Sequence, residues 1–154
     1  MALTRGRQVP SVGGHSAARR DRRWRRLLPL RMVTAGALVV DAVVHLQLAS
    51  RYDANTAGGL SQGDLFRLEA VAALLAAALL LATGRWVAWL LAVLVAGSAL
   101  GAVLLNANAD VGPLGPVPDM YEPFWYGQKL VVAVAEAVGT LAAAAGLLLT
   151  LRRR

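Results

Sequence analysis

Apolar and polar positions along this chain do not alternate with a strand or amphipathic-helix period. They separate into blocks. Residues 32–50, 65–83, 86–105 and 124–151 are almost continuously apolar. Each block is at least about the ~20 residues that a helix needs to cross a hydrocarbon core of ~30 Å. The pattern predicts an all-α protein, a four-helix transmembrane bundle spanning residues 29–151. The polar remainder is too small to build a second core.

The links between blocks set the expected packing. "ATGRW" turns at Thr83–Gly84–Arg85, with a glycine placed for a left-handed helix cap. So short a link forces spans two and three into an antiparallel hairpin. In the 51–63 loop, "SQGD" offers Ser61 and Asp64 as a capping pair for span two. The 106–123 loop carries Pro113, Pro116, Pro118 and Pro123. Asp119 and Glu122 precede span four, where negative charge complements the helix dipole, and Pro123 suits a first helical turn. This stiff loop, with Asp119, Met120, Tyr121, Glu122 and then Trp125, is either an ordinary connection or a lid over the bundle. Small residues recur at four-residue spacing: Gly97 and Gly101 in span three, Ala135, Gly139 and Ala143 in span four, and Ala72 and Ala76, with Ala73, in span two. Such faces let helices approach closely in lipid, so they are expected as internal seams, with a homodimer face as the alternative.

Composition sharpens this picture. The chain has 154 residues, 57% of them hydrophobic, and no cysteine, which excludes disulfides, thiolate metal sites and cysteine nucleophiles. The net charge of +7 comes mainly from the first 31 residues, where nine arginines face one acid, Asp21. Beside a membrane block the usual cause of such bias is topology, so nucleic acid is not expected as a partner. With the N-terminus in the cytoplasm, the inner side collects 13 of the 16 Lys and Arg. The aromatics follow the same scheme. Trp24, Trp86 and Trp89 fall at the inner interface, and Tyr52, Phe66, Tyr121, Phe124, Trp125 and Tyr126 at the outer one. The expected address is therefore the plasma (inner) membrane, multi-pass, with both termini inside. Residues 1–28 read as a disordered Arg-rich tail. "LQLAS" is a poor cleavage site, so a removable leader is not expected.

The candidate chemistry lies inside the spans. Ionisable residues there cost a few kcal/mol each and usually face the protein interior. At ~1.5 Å per residue, His45, Glu69 and Lys129 lie ~7 Å below the outer helix ends, Asp41 ~13 Å and Glu136 ~18 Å. Asp41 and His45 share one face of span one, and Lys129 and Glu136 share one face of span four. Arg67 and Glu69 are two apart and cannot both point inward, so Glu69 is expected inside and Arg67 toward the outer surface. Asp41, Glu69 and Glu136 outweigh Arg67 and Lys129 by one negative charge, which a proton on His45, a proton on a carboxyl or a bound cation would balance. The five residues Asp41, His45, Glu69, Lys129 and Glu136 are the candidate pocket. A structural salt bridge between Lys129 and Glu69 is the plainer alternative. No GxSxG, HExxH, P-loop, GxGxxG or CxxC motif is present, and His15 is the only other histidine. No catalytic residue, cofactor or metal is expected from these spacings.

"DAVVHLQLASRYD", "LFRLEAVAALLAAALLL" and "GPVPDMYEPFWYGQK" together resemble small four-span actinobacterial membrane proteins of DoxX-like type. The resemblance covers roughly residues 30–150 and implies the fold and a membrane address, with no residue role to carry over. Three functions remain open. The first is a non-enzymatic accessory subunit of an envelope assembly, with a membrane-protein partner or a second copy. The second is a small-ligand or proton-responsive site opening outward. The third, and weakest, is a membrane redox enzyme.

Overall fold

The computed structural model describes residues 14–152, with side chains from Leu27 onward. Four helices dominate: α1 Gly14–Ala49, α2 Gln62–Thr83, α3 Trp86–Asn108 and α4 Gly127–Leu151. All four contain a segment long and apolar enough to cross a membrane. They run up and down in sequence around a square. Neighbouring helices α1–α2, α2–α3, α3–α4 and α4–α1 pack together, while α1 and α3 sit on a diagonal. The chain is an all-α four-helix transmembrane bundle. The Gly84 turn closes one end, here the turn end, and the 50–61 and 109–126 segments close the other, the loop end.

The packing is inverted relative to a water-soluble bundle. The interior is built from alanine, including Ala42, Ala70, Ala73, Ala92 and Ala143 at or near zero exposure. Large apolar side chains such as Met32, Leu68, Leu75, Leu94 and Leu141 point outward. In water that surface would be an aggregation hazard. In a bilayer it is the lipid face, and small residues inside give the close backbone approach that drives association there. The seam glycines behave accordingly. A Cβ added at Gly139 would meet Ala37 of α1 at 3.2 Å and Ala96 of α3 at 3.6 Å. Gly97 faces Thr140 of α4, whereas Gly101 has open space around it. The small faces of α3 and α4 are thus internal seams, apart from Gly101.

α1 is longer than its apolar block. It extends back to Gly14, so residues 14–28, expected to be disordered, are helical; residues 1–13 lie outside the described residues. Alanine, leucine and arginine are strong helix formers, which accounts for the extension. Pro29 sits within it and forgoes one backbone donor. Arg31, expected as one more topology charge, is buried instead. Its guanidinium donates to the carbonyl of Leu80 at 2.7 Å and to that of Leu81, both in the last turn of α2, where the Leu80 carbonyl also accepts from Gly84 N at 2.9 Å. A cation at a helix C-terminus also complements the dipole. Gly84 makes room for it. Its φ is +55°, and an added Cβ would stand 2.9 Å from Arg31 Nη1. Trp89, expected at the interface, is instead fully buried at the turn end against Gly146 of α4.

At the loop end the chain makes a small hairpin, β1 Thr56–Ala57 with β2 Leu60–Ser61. Its two-residue turn is Gly58–Gly59, both with positive φ, as a primed turn requires. The expected capping pair forms. Ser61 Oγ accepts from Asp64 N at 2.9 Å, and Asp64 Oδ2 accepts from Ser61 N at 3.2 Å. α4 starts at Gly127 rather than near residue 124, so Pro123 is not in its first turn, and Asp119 and Glu122 do not cap it. Their groups are used in the loop: Asp119 Oδ1 accepts from Tyr121 N, and Glu122 N donates to Asn106 O.

Arg67 turns out toward the loop, as its two-residue offset from Glu69 requires, and clamps Asp53 at 2.8 and 2.9 Å. The Arg67 hydrogen bonds hold the Asp53 carboxyl below its ordinary value near 3.8. An acid whose folded value is depressed lends stability above its unfolded pKa and loses it as pH falls through the lower folded one. The clamp should therefore hold down to about pH 4 and open only below it. Titration of Asp53 by carboxyl-detected NMR in detergent would show this. Arg67→Ala should return the midpoint to the ordinary aspartate range, and an unchanged midpoint would refute the clamp.

Candidate functional site

Three of the expected pocket residues meet in the middle of the bundle. Asp41 and His45 project from one face of α1, and Glu136 from α4 meets them. One ligating atom from each lies within 4.8 Å of the others. Asp41 and Glu136 are each only 1% exposed, and His45 6%. His45 Nδ1 stands 2.7 Å from Asp41 Oδ1 and 3.1 Å from the Asp41 backbone oxygen. The ring is held from the other side by Phe66 of α2, edge to face at 5.1 Å.

The carboxyls are not otherwise satisfied. Neither Glu136 oxygen and neither Asp41 oxygen has a well-directed hydrogen bond among the described residues. The Glu136 carboxyl instead lies beside that of Asp41, one oxygen of each within 4.8 Å of the other. Two acceptors facing each other need a proton or a cation between them. Burial of an unpaired carboxylate costs several kcal/mol, so so deep a pair is not a neutral feature of packing. Glu69 is the next carboxyl out. It is half-buried on α2, its Oε1 also lacks a donor, and charge on Asp41 and His45 reaches it. α3 brings no ionisable side chain to the group; its polar contributions nearby are Ser98 and Asn106.

Lys129 does not complete this cluster. It is buried at the top of α4, but its ammonium turns up to the loop, donating to the Glu122 carbonyl and lying 5.3 Å from the centre of the Trp125 ring. The charge balance expected from sequence therefore changes. Arg67 and Lys129 both serve the loop end, and three acids and one imidazole remain inside.

Above the cluster the 109–126 segment folds over the bundle. Asn55 Nδ2 donates to Asp119 O at 2.7 Å. Tyr52 donates to Glu122 Oε2 at 2.8 Å, and the Tyr126 hydroxyl lies 3.1 Å from that of Tyr52. Burial pushes the Tyr126 hydroxyl above its ordinary range, so it remains a donor at neutral pH. Under this cover are three adjoining spaces. An outer cavity of about 310 Å³ is lined by Tyr52, Gln62 and residues 119–124. A neck of about 60 Å³ follows, lined by His45, Asn106, Met120 and Lys129 among others. A larger groove of about 570 Å³ lies between α2 and α3, mostly apolar, with His45, Glu69, Ser98 and Asn106 as its polar members. Met120 lines all three, and His45 both inner ones. Tyr121, Phe124 and Trp125 lie on the exposed rim, with Phe124 78% exposed. Of the five loop residues singled out by sequence, Met120 and Glu122 are the ones that close over the neck. The role of Met120 as common wall, and of the Tyr52 and Tyr126 hydroxyls in anchoring Glu122, carried no signal in the sequence beyond their place at an interface.

Comparisons with protein-family models, with curated proteins and with solved structures returned no match, so the site is read from its own geometry.

Proposed function

We propose that this multi-pass membrane protein binds a small positively charged ligand in a polar intramembrane site reached from the loop end. The observation that carries this reading is the Asp41–Glu136 pair, almost wholly buried, in which Asp41 has only the His45 imidazole beside it and Glu136 has no donor among the described residues. Such a pair is retained against several kcal/mol of desolvation, and intramembrane ionisable groups commonly mark ligand or ion sites. The cavities beneath Met120 lead inward as far as His45 and Glu69, and the His45 imidazole stands between them and the pair. The loop end faces away from the cytoplasm in this reading and both termini face into it, because the basic residues gather at the turn end. The DoxX-like resemblance contributes a plasma-membrane address and nothing about the ligand.

The test is a thermal-shift series in detergent with small inorganic cations and small amines. At least one should raise the melting temperature of the wild type and leave an Asp41→Asn, Glu136→Gln double variant unmoved. No shift in the wild type, or equal shifts in both, would overturn the reading. An accessory role in an envelope assembly is a second reading, supported by the exposed aromatic rim of Phe124 and Trp125. It predicts a stoichiometric companion after mild-detergent purification.

A further inference from the structure

We infer that Asp41, His45 and Glu136 form a site for a divalent first-row transition-metal ion, of the Mn²⁺ or Zn²⁺ kind. This deepens the proposed cationic-ligand reading and rests on it.

Bonds of about 2.0–2.2 Å to nitrogen and oxygen put neighbouring ligand atoms about 3 Å apart and opposite ones about 4.2 Å apart. The three ligating atoms here already lie within 4.8 Å of one another, so closing on an ion takes movements of about 1 Å or less by each side chain. The His45 Nδ1 to Asp41 Oδ1 separation of 2.7 Å needs to open by only a few tenths of an ångström.

The Asp41 and Glu136 carboxyls also lie close together, with the His45 imidazole on Asp41 and no donor on Glu136 among the described residues. Among the described residues neither Glu136 oxygen has a hydrogen bond in this packed interior, although Thr140 stands one turn further along α4. The Thr140 hydroxyl bonds back to its own helix instead, donating to the Glu136 backbone oxygen. The lone pairs are left facing a shared point between α1 and α4.

With Arg67 and Lys129 committed to the loop end, a divalent ion matches the two carboxylates while His45 binds as neutral imidazole. A monovalent organic amine would leave one carboxylate unbalanced. The donor set chooses among divalent ions. One imidazole with two carboxylates suits Mn²⁺, Fe²⁺ or Zn²⁺, and the absence of thiolate or thioether in the set disfavours Cu⁺. Three protein donors also leave coordination positions free for water or a further ligand.

The experiment uses untagged, chelator-treated full-length protein in detergent. Mn²⁺ and Zn²⁺ are titrated singly by calorimetry, with metal content measured after dialysis. The expected result is one ion per chain, with affinity reduced at least tenfold in Glu136→Gln and in His45→Gln. His15→Gln should leave binding unchanged. Bound Mn²⁺ should show nitrogen coupling in pulsed electron paramagnetic resonance that disappears in His45→Gln. The inference is overturned by substoichiometric binding, by binding that survives both substitutions, or by a nitrogen signal that persists without His45. Should Glu136→Gln fail to fold, His45→Gln and the resonance signal decide alone. If an amine but no metal ion stabilises the wild type, the metal assignment falls and the cationic-ligand reading stands; if neither does, both fall.

Discussion

Gly146→Leu should leave little or no folded protein, because the space it needs is already the indole of Trp89. A Cβ at Gly146 would land within that ring, which is completely buried between α3 and α4. Even Gly146→Ala should destabilise. The helix-propensity gain on replacing a helical glycine is at most about 1 kcal/mol. Overpacking a filled interior costs about 1–3 kcal/mol, and a rigid ring pinned on all sides belongs at the upper end of that range. Leucine would have to eject the indole, forfeiting the ~3–5 kcal/mol that burial of a large aromatic contributes. Against a total stability on the order of 5–15 kcal/mol, that loss plus backbone separation is decisive. A double-mutant cycle gives the check. Trp89→Ala alone should lower the melting temperature strongly, and Trp89→Ala with Gly146→Leu should melt above the sum of the single effects, since the leucine fills the vacated space. A Gly146→Leu protein that melts like the wild type would mean that α3 and α4 do not meet there.

That contact illustrates which features the sequence could carry. The four spans were legible because about twenty consecutive apolar residues have one cheap solution in lipid. The Ser61–Asp64 cap was legible because its chemistry is local, three residues apart. Rotation of a helix about its axis was legible only where polar residues mark a face. Asp41 with His45 does this for α1, and Lys129 with Glu136 does it for α4. α3 is apolar nearly all round, so nothing in it announced that Trp89 turns inward rather than to the interface. Arg31 was hidden for a different reason. Eight other arginines precede it, and only the position of the α2 carbonyls after folding singles it out. The same holds for Lys129. Its sequence level placed it beside Glu69, but a long flexible side chain can carry its ammonium toward the membrane interface, and here it reaches the Glu122 carbonyl. The start of α4 shifted because Glu122 and Tyr126 are occupied with Tyr52 and Asn106, partners more than 15 residues away in the chain.

The depth of Asp41 and Glu136 leads to an expectation of opposite sign. Glu136→Leu should make the metal-free protein more stable. Glutamate and leucine have similar volumes, so the substitution leaves neither a large cavity nor a large overlap. What it removes is a carboxyl with 1% exposure and no donor, facing another carboxyl. Replacing buried ionic groups with well-packed apolar ones stabilises soluble proteins by about 1–4 kcal/mol in favourable cases. The gain here should lie in that range, because Asp41 keeps His45 at 2.7 Å after Glu136 has gone. Asp41→Leu should gain less, since it strips His45 of its one ion-pair partner among the described residues and leaves the buried imidazole beside a backbone carbonyl. Thermal unfolding in the same detergent with chelator present distinguishes the two. A Glu136→Leu protein that melts below the wild type would show that the carboxyl holds the fold together, and the argument that it is kept for a ligand would lose its footing. Stabilisation by a substitution that also abolishes cation-dependent melting shifts would mark Glu136 as a residue held against the interest of the fold.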